Sequence, residues 1–248
     1  MLCYCDFHIH SCLSPCGDAD MTPSNIARMA ALAGYSIISV SDHNTTGNCR
    51  SLIRAAQEAG IVAVPAMELT TSEEVHVLCL LPDPDAADEF GRYVFDRLPE
   101  ISNRPEIFGE QILMDHDDTI IGYEQRLLHN ATDISITDVP EIINGFGGIA
   151  IPAHIDRNSF SVLSNLGFLD PTLGFPAVEI TRDCNIPNLV SKHAELAGMP
   201  YYINSDAHDL YSIQNAEFCL DLEETSAKEV IDVFRKGELF YMLTHRCQ

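Results

Sequence analysis

Short apolar runs alternate with amphipathic stretches that stop at glycine, and this rhythm constrains the fold more than any other feature of the chain. Residues 2–10, 36–41, 61–66 and 74–81 read as strands. Between them, one helix opens with Thr22 as N-cap and Pro23 in its first turn and stops at Gly34; a second covers about 49–59 and stops at Gly60. The rhythm resumes with strands at 148–152, 177–181 and 200–204, separated by helical patterns at 159–166 and 187–197. A late strand at 217–222, a helix at 226–236 and an apolar run at 239–243 close the chain. Strand–helix–strand repetition of this kind builds parallel strands covered by helices, so the expected class is α/β. A length of 248 residues fits one barrel-type domain. Residues 86–98 read as helical, and the irregular stretch at about 99–135 reads as an insertion, too short for a core of its own.

The chemistry sits where the strands end. In the first strand side chains two apart share a face, so Asp6, His8 and His10 point one way while Cys5, Phe7 and Ile9 point the other. His43, Glu68, His154, Asp206 and His208 each lie at or just past the C-terminal end of a predicted strand. In a parallel β/α barrel those ends share one face, where active sites are built. His76 sits inside its strand and reaches that face only by pointing into the barrel. A satisfied core histidine explains any one of these residues. It explains the set badly, because one barrel end would bury many polar groups with nothing to satisfy them. The donors exceed what one tetrahedral zinc takes, which implies two or three cations, with Glu68 suited to bridging a pair. Cation clusters of this kind grip phosphate and supply hydroxide at neutral pH.

Composition narrows the partners. Thirty-seven acidic residues against 14 basic ones give a formal charge of −23. This disfavours long nucleic acid and anionic membrane surfaces as partners and leaves small or short anionic substrates. No apolar run is long enough to span a bilayer and the start lacks a secretory signature, so a cytoplasmic location is expected. The nine cysteines form no C-x-x-C pair and read as reduced thiols. Cys16, beside the candidate ligands, is the thiol placed for metal contact or oxidation. His116, His129, His193 and His245 read as surface or packing residues, His116 with a second reading as part of a lid.

The motifs Asp6-Phe7-His8-Ile9-His10-Ser11, Ser41-Asp42-His43-Asn44, Glu68, His76, Pro152-Ala153-His154 and Ser205-Asp206-Ala207-His208 resemble, in that order, those of the PHP (polymerase and histidinol phosphatase) family. The resemblance implies a distorted (β/α)7 TIM-like barrel with a trinuclear site of zinc, manganese or iron and phosphoesterase activity. It implies that His8, His10, Glu68 and Asp206 surround one metal. Glu68 would bridge to a second held by His76 and His154, and His43 and His208 would hold a third with an acid of the first loop. Counting back from Pro23 favours Asp18 for that acid, with Asp20 the alternative. His208 and Asp206 are the expected proton carriers. Asp42 joins them at the catalytic centre as an acceptor orienting a ligand imidazole, a role Asp6 shares. Arg157 and Arg182 are the candidates for gripping phosphate.

The expected function is hydrolysis of a phosphate ester of a small molecule or short nucleotide by metal-activated hydroxide. Three alternatives stand beside it: a metal-stabilised regulatory or scaffold module, a histidinol-phosphatase-like enzyme, and an amidohydrolase on a related barrel. The last wants a lysine at a middle strand end, and none is placed there.

Overall fold

The computed structural model describes residues 1–237; the apolar run at 239–243 and His245 lie outside the described residues. In chain order the elements are β1 (Leu2–Asp6), α1 (Pro23–Leu32), β2 (Ile37–Ile38), α2 (Cys49–Glu58), β3 (Val62–Ala63), β4 (Ala66–Thr70), β5 (His76–Leu80) and α3 (Pro84–Phe95). The insertion holds α4 (Pro105–Phe108), β6 (Ile112–Met114) and β7 (Ile120–Tyr123). Then come α5 (Val139–Gly145), β8 (Ile149–Pro152), α6 (Val162–Leu166), β9 (Val178–Ile180), α7 (Ile186–Lys192), β10 (Tyr201–Ile203), β11 (Cys219–Asp221) and α8 (Ala227–Lys236).

The α/β alternation is as expected; the closed barrel is not found among the described residues. The strands form four small sheets, ordered β11-β1-β2-β3, β4-β5-β8, β10-β9 and β6-β7. Isolated bridges connect their edges, Ile9 to Ala207 and His43 to Glu68. The reason is local. Ladder pairing of β1 stops at Asp6, short of the expected His10, because side chains take the next two backbone N–H groups. Phe7 N–H donates to Asn204 Oδ1 at 2.9 Å and His8 N–H to Asp6 Oδ1 at 3.2 Å.

The second departure is the direction of β5. It pairs antiparallel with β4, in register Thr70 to His76, and antiparallel with β8, in register Val77 to Pro152. The start of β5 therefore lies at the end of β4 and beside the end of β8. His76, on the same face of the sheet as Glu68, Leu78 and Leu80, thereby reaches the common rim.

The opposite face of β1 anchors the core. Phe7 is wholly buried, with the rings of Tyr202, Phe218 and Phe234 at 6.0–6.4 Å. The stretch at 99–135, expected as an irregular insertion, is held by side-chain bonds to the backbone. Gln111 donates to the carbonyls of Glu124 and Arg126, and Asn48 ties β6 to the first loop through Ile112 O, Met114 N and Ser11 Oγ.

Candidate metal centre

Glu68, on the fully buried strand β4, is the hub. Ring nitrogens of His8, His10, His43, His76 and His154 lie 2.8–3.3 Å from its two oxygens. Asp206 Oδ1 lies 3.3 Å from His8 Nε2 and 3.2 Å from His10 Nε2, and His208 stacks on His10 at 4.3 Å. Eight of the nine expected ligands thus meet at one place. His154 and Asp206 enter it with positive φ, at 30° and 49°. Such conformations are unfavourable for non-glycine residues and persist where surrounding contacts impose them.

The tautomers are set from outside. His8 Nδ1 lies 3.0 Å from Glu179 Oε2, leaving Nε2 to face the hub; Glu179 is itself held by Asn204 Nδ2. His10 Nδ1 meets Ser14 Oγ at 3.0 Å, and His208 Nδ1 meets the Asp206 carbonyl at 2.8 Å. Outer partners of this kind orient the ligand nitrogens of metal sites. Glu179 is absent from the sequence reading, though a carboxylate inside the apolar run Val178-Glu179-Ile180 is the signal that marks it.

The donor set fits cations. A carboxylate offers about four lone-pair positions, and five imidazoles crowd this one. His8 Nε2 and His10 Nε2 face each other at 3.2 Å. His76 Nε2 and His154 Nδ1 are buried without a hydrogen-bond partner, and His43 Nδ1 lies 3.1 Å from Glu68 Oε2 without hydrogen-bond geometry. Burial alone would raise the Glu68 pKa, but His76, His8 and His43 hold it well below the usual carboxylate range. His10 is opposed by burial yet pushed up to about 9 by Asp206 and Glu68, whereas burial drives His43 well below its ordinary value. One buried cluster thus pulls its imidazoles in opposite directions, according to whether burial or the neighbouring carboxylates dominate.

Several expectations change here. Among the described residues Asp42 hydrogen-bonds no imidazole: it accepts from Ser11 N–H, Ser11 Oγ and Ser14 Oγ at 2.6–2.7 Å, and Ser14 links it to His10. Asp6 holds the backbone N–H groups of His8 and Ser205, not a ring. Asp18 is exposed and belongs to none of the ligand groups among the described residues, nor does Asp20; the loop brings Cys16 to the cluster instead. Arg157 reaches Asp206 Oδ2 at 2.5 Å. Arg182 pairs with Glu217 and Gln214, and none of its contacts is to a cluster residue. His129, expected as a surface or packing residue, lies over the site with its ring 4.6 Å from His43, beside Phe160, which stacks on His76 at 4.7 Å. Asn44 sets it there by donating to Leu128 O and Asn130 O on either side.

No family model matches the sequence, and no curated protein matches it. Solved structures do match. The lesion-specific endonuclease EndoQ of Pyrococcus furiosus aligns with a TM-score of 0.69 at 17% identity over 95% of this chain and 56% of that one. An Endonuclease Q complex with a 27-mer duplex carrying an abasic lesion aligns with the same TM-score at 16% identity, over 95% of this chain and 57% of that one. The chain therefore spans little more than half the length of these endonucleases. A Bifidobacterium adolescentis protein assigned as a metal-dependent phosphoesterase gives 0.61 at 18% identity, covering 82% of this chain and 87% of that one. A Chromobacterium violaceum amidohydrolase with bound sulfate gives 0.58 at 19%, covering 95% and 96%. Likeness at these identities establishes the fold alone, an α/β fold shared with these proteins.

Proposed function

We propose that the protein is a hydrolase of phosphate esters, acting on a small molecule or short nucleotide with three divalent ions of the zinc, manganese or iron class. The observation that carries this reading is Glu68 ringed by five imidazoles, with Asp206 and His208 alongside. His8, His10, Glu68 and Asp206 would hold one ion, Glu68, His76 and His154 a second, and His43 with His208 a third. Divalent ions bound to such a set supply Lewis acidity toward phosphoryl oxygens and hydroxide at neutral pH.

The chain's own groups complete the chemistry. Arg157, half exposed and paired with Asp206, meets an incoming phosphate at the rim as a bidentate donor. His129 is partly exposed there, and burial lowers its pKa, so near pH 7 it is neutral and able to accept a proton. Phe160 forms an aromatic wall with it.

Metal analysis of the purified protein, followed by phosphate release from a panel of monoesters and short diesters with zinc, manganese or iron, tests this reading. Turnover that disappears in His43→Ala/His208→Ala while the fold is kept is the expected result. A metal-loaded protein that turns over no ester leaves the scaffold alternative. A second reading, cleavage of lesion-bearing DNA, is favoured by the endonuclease likeness. An abasic duplex in the same panel separates it from the first.

A further inference from the structure

The sequence resemblance puts an acid of the first loop on the cation shared by His43 and His208; the structure puts a sulfur there. Resting on the metal-dependent reading above, we propose that Cys16 is a thiolate ligand of that cation, in a site completed by His43, His208 and His10. The Cys16 Sγ and one ring nitrogen each of His10, His43 and His208 all lie within 4.8 Å of one another. His43 is buried, at 2% exposure, and its Nδ1 lies 3.1 Å from Glu68 Oε2 without hydrogen-bond geometry, so its ring is held at the cluster independently of the cysteine. Asp18 is turned outward, its backbone N–H donating to the His208 carbonyl at 2.9 Å.

The loop is built to hold this arrangement. Ser14 N–H donates to Ser11 O and Gly17 N–H to Ser14 O, each at 3.0 Å, which folds the segment over the cluster. A Cβ on Gly17 would lie 2.3 Å from Ser11 O, so only glycine lets the turn close. From the other side the insertion packs so tightly that a Cβ on Gly109 would lie 2.5 Å from Pro15 O. Cys16 sits between these two close approaches.

Binding breaks the S–H bond, forms a sulfur–metal bond and delivers the proton to solvent, with no change of oxidation state. The resulting donor set is imidazole and thiolate, without carboxylate. Such a set favours zinc and other thiophilic ions and disfavours magnesium and manganese. One position of the cluster would thus be zinc-selective, while the carboxylate-bridged positions accept harder ions.

Cobalt(II) reconstitution of the metal-free full chain tests this. The wild type and the control Cys184→Ser should both show a thiolate-to-cobalt charge-transfer band in the near ultraviolet. Cys16→Ser should lack the band, hold about one ion fewer, and bind zinc at that position at least about tenfold more weakly, since outer-sphere partners alone cost 10–100-fold. Cys16→Asp, which keeps a ligand, should restore the metal count without the band, separating lost coordination from lost folding. A wild type that takes up cobalt without the band, or a band unchanged in Cys16→Ser, overturns the assignment and leaves the proposed function standing. A wild type that binds no divalent ion overturns both.

Discussion

At the scale of single residues the site consists of ligands held by a second layer, and the two layers differ in how legible they are in sequence. The ligands announce themselves: His8 and His10 share a strand face by spacing alone, and His43, Glu68, His154, Asp206 and His208 each follow an apolar run. The layer behind them does not, because serine and asparagine at loop positions carry no periodic signal. Ser14 is the clearest case. Its hydroxyl donates to Asp42 Oδ1 at 2.7 Å, lies 3.0 Å from His10 Nδ1, and accepts from His43 N–H at 3.2 Å. One hydroxyl thereby fixes two proposed ligands and links them to a buried carboxylate. Ser14→Ala should keep the fold and lower metal affinity by about 10–100-fold, the usual cost of losing an outer partner. Competition with a chromophoric chelator, with circular dichroism as the fold control, measures it. His129 was illegible for a different reason: its place over His43 is set by the amide of Asn44, 85 positions away in sequence and visible only once the insertion folds back.

Among the elements, direction mattered more than existence. Most strands and helices fall close to where hydrophobic periodicity and the glycine stops place them, but β4, which carries Glu68, lies beyond the strand expected at 61–66, and the antiparallel course of β5 has no signature in its residues. A buried strand reads the same in either sense. The connection is what decides, and the β4–β5 turn is too short for a helical crossover. That turn is stapled by Glu73, whose carboxylate accepts from Ser135 Oγ at 2.6 Å and Ile136 N–H at 3.0 Å. Burial works against the ionised form, but these two donors outweigh it and hold the Glu73 pKa below its ordinary 4.5. A carboxylate depressed by folding contributes stability above its unfolded pKa and loses it as pH falls through the folded value. Glu73→Gln should therefore cost about 1 kcal/mol at pH 7, in line with a hydrogen bond to a partly exposed charged group. The gap to wild type should narrow as the pH drops below about 4.5. Urea unfolding of both proteins at the two pH values checks the sign, and a gap that widens in acid would refute the staple.

For the molecule as a whole, geometry and charge bear on the substrate from opposite sides. The fold is shared with an endonuclease seen on a 27-mer duplex, while this chain carries a formal charge of −23 and spans 57% of that protein's length. Ionic strength distinguishes the two readings, because they differ in how salt should act. A protein that grips duplex phosphates with lysine and arginine releases counterions, and its binding weakens with a log–log slope of about −0.9 per phosphate contacted. Here the basic groups at the rim are few: Arg157 is paired with Asp206, and Arg182 is engaged by Glu217 and Gln214. An approaching anion meets a repulsive field before it meets the site, and added salt screens that field over roughly 10 Å at 0.1 M. For a short nucleotide or a phosphomonoester, kcat/KM should accordingly stay flat or rise between about 20 and 200 mM salt, in the regime where screening sets in. Activity on an abasic duplex that falls steeply over the same range, with a slope of several units, would mean that the acidic surface is bypassed by a basic track these residues do not form, and would replace the short-substrate reading with the endonuclease one.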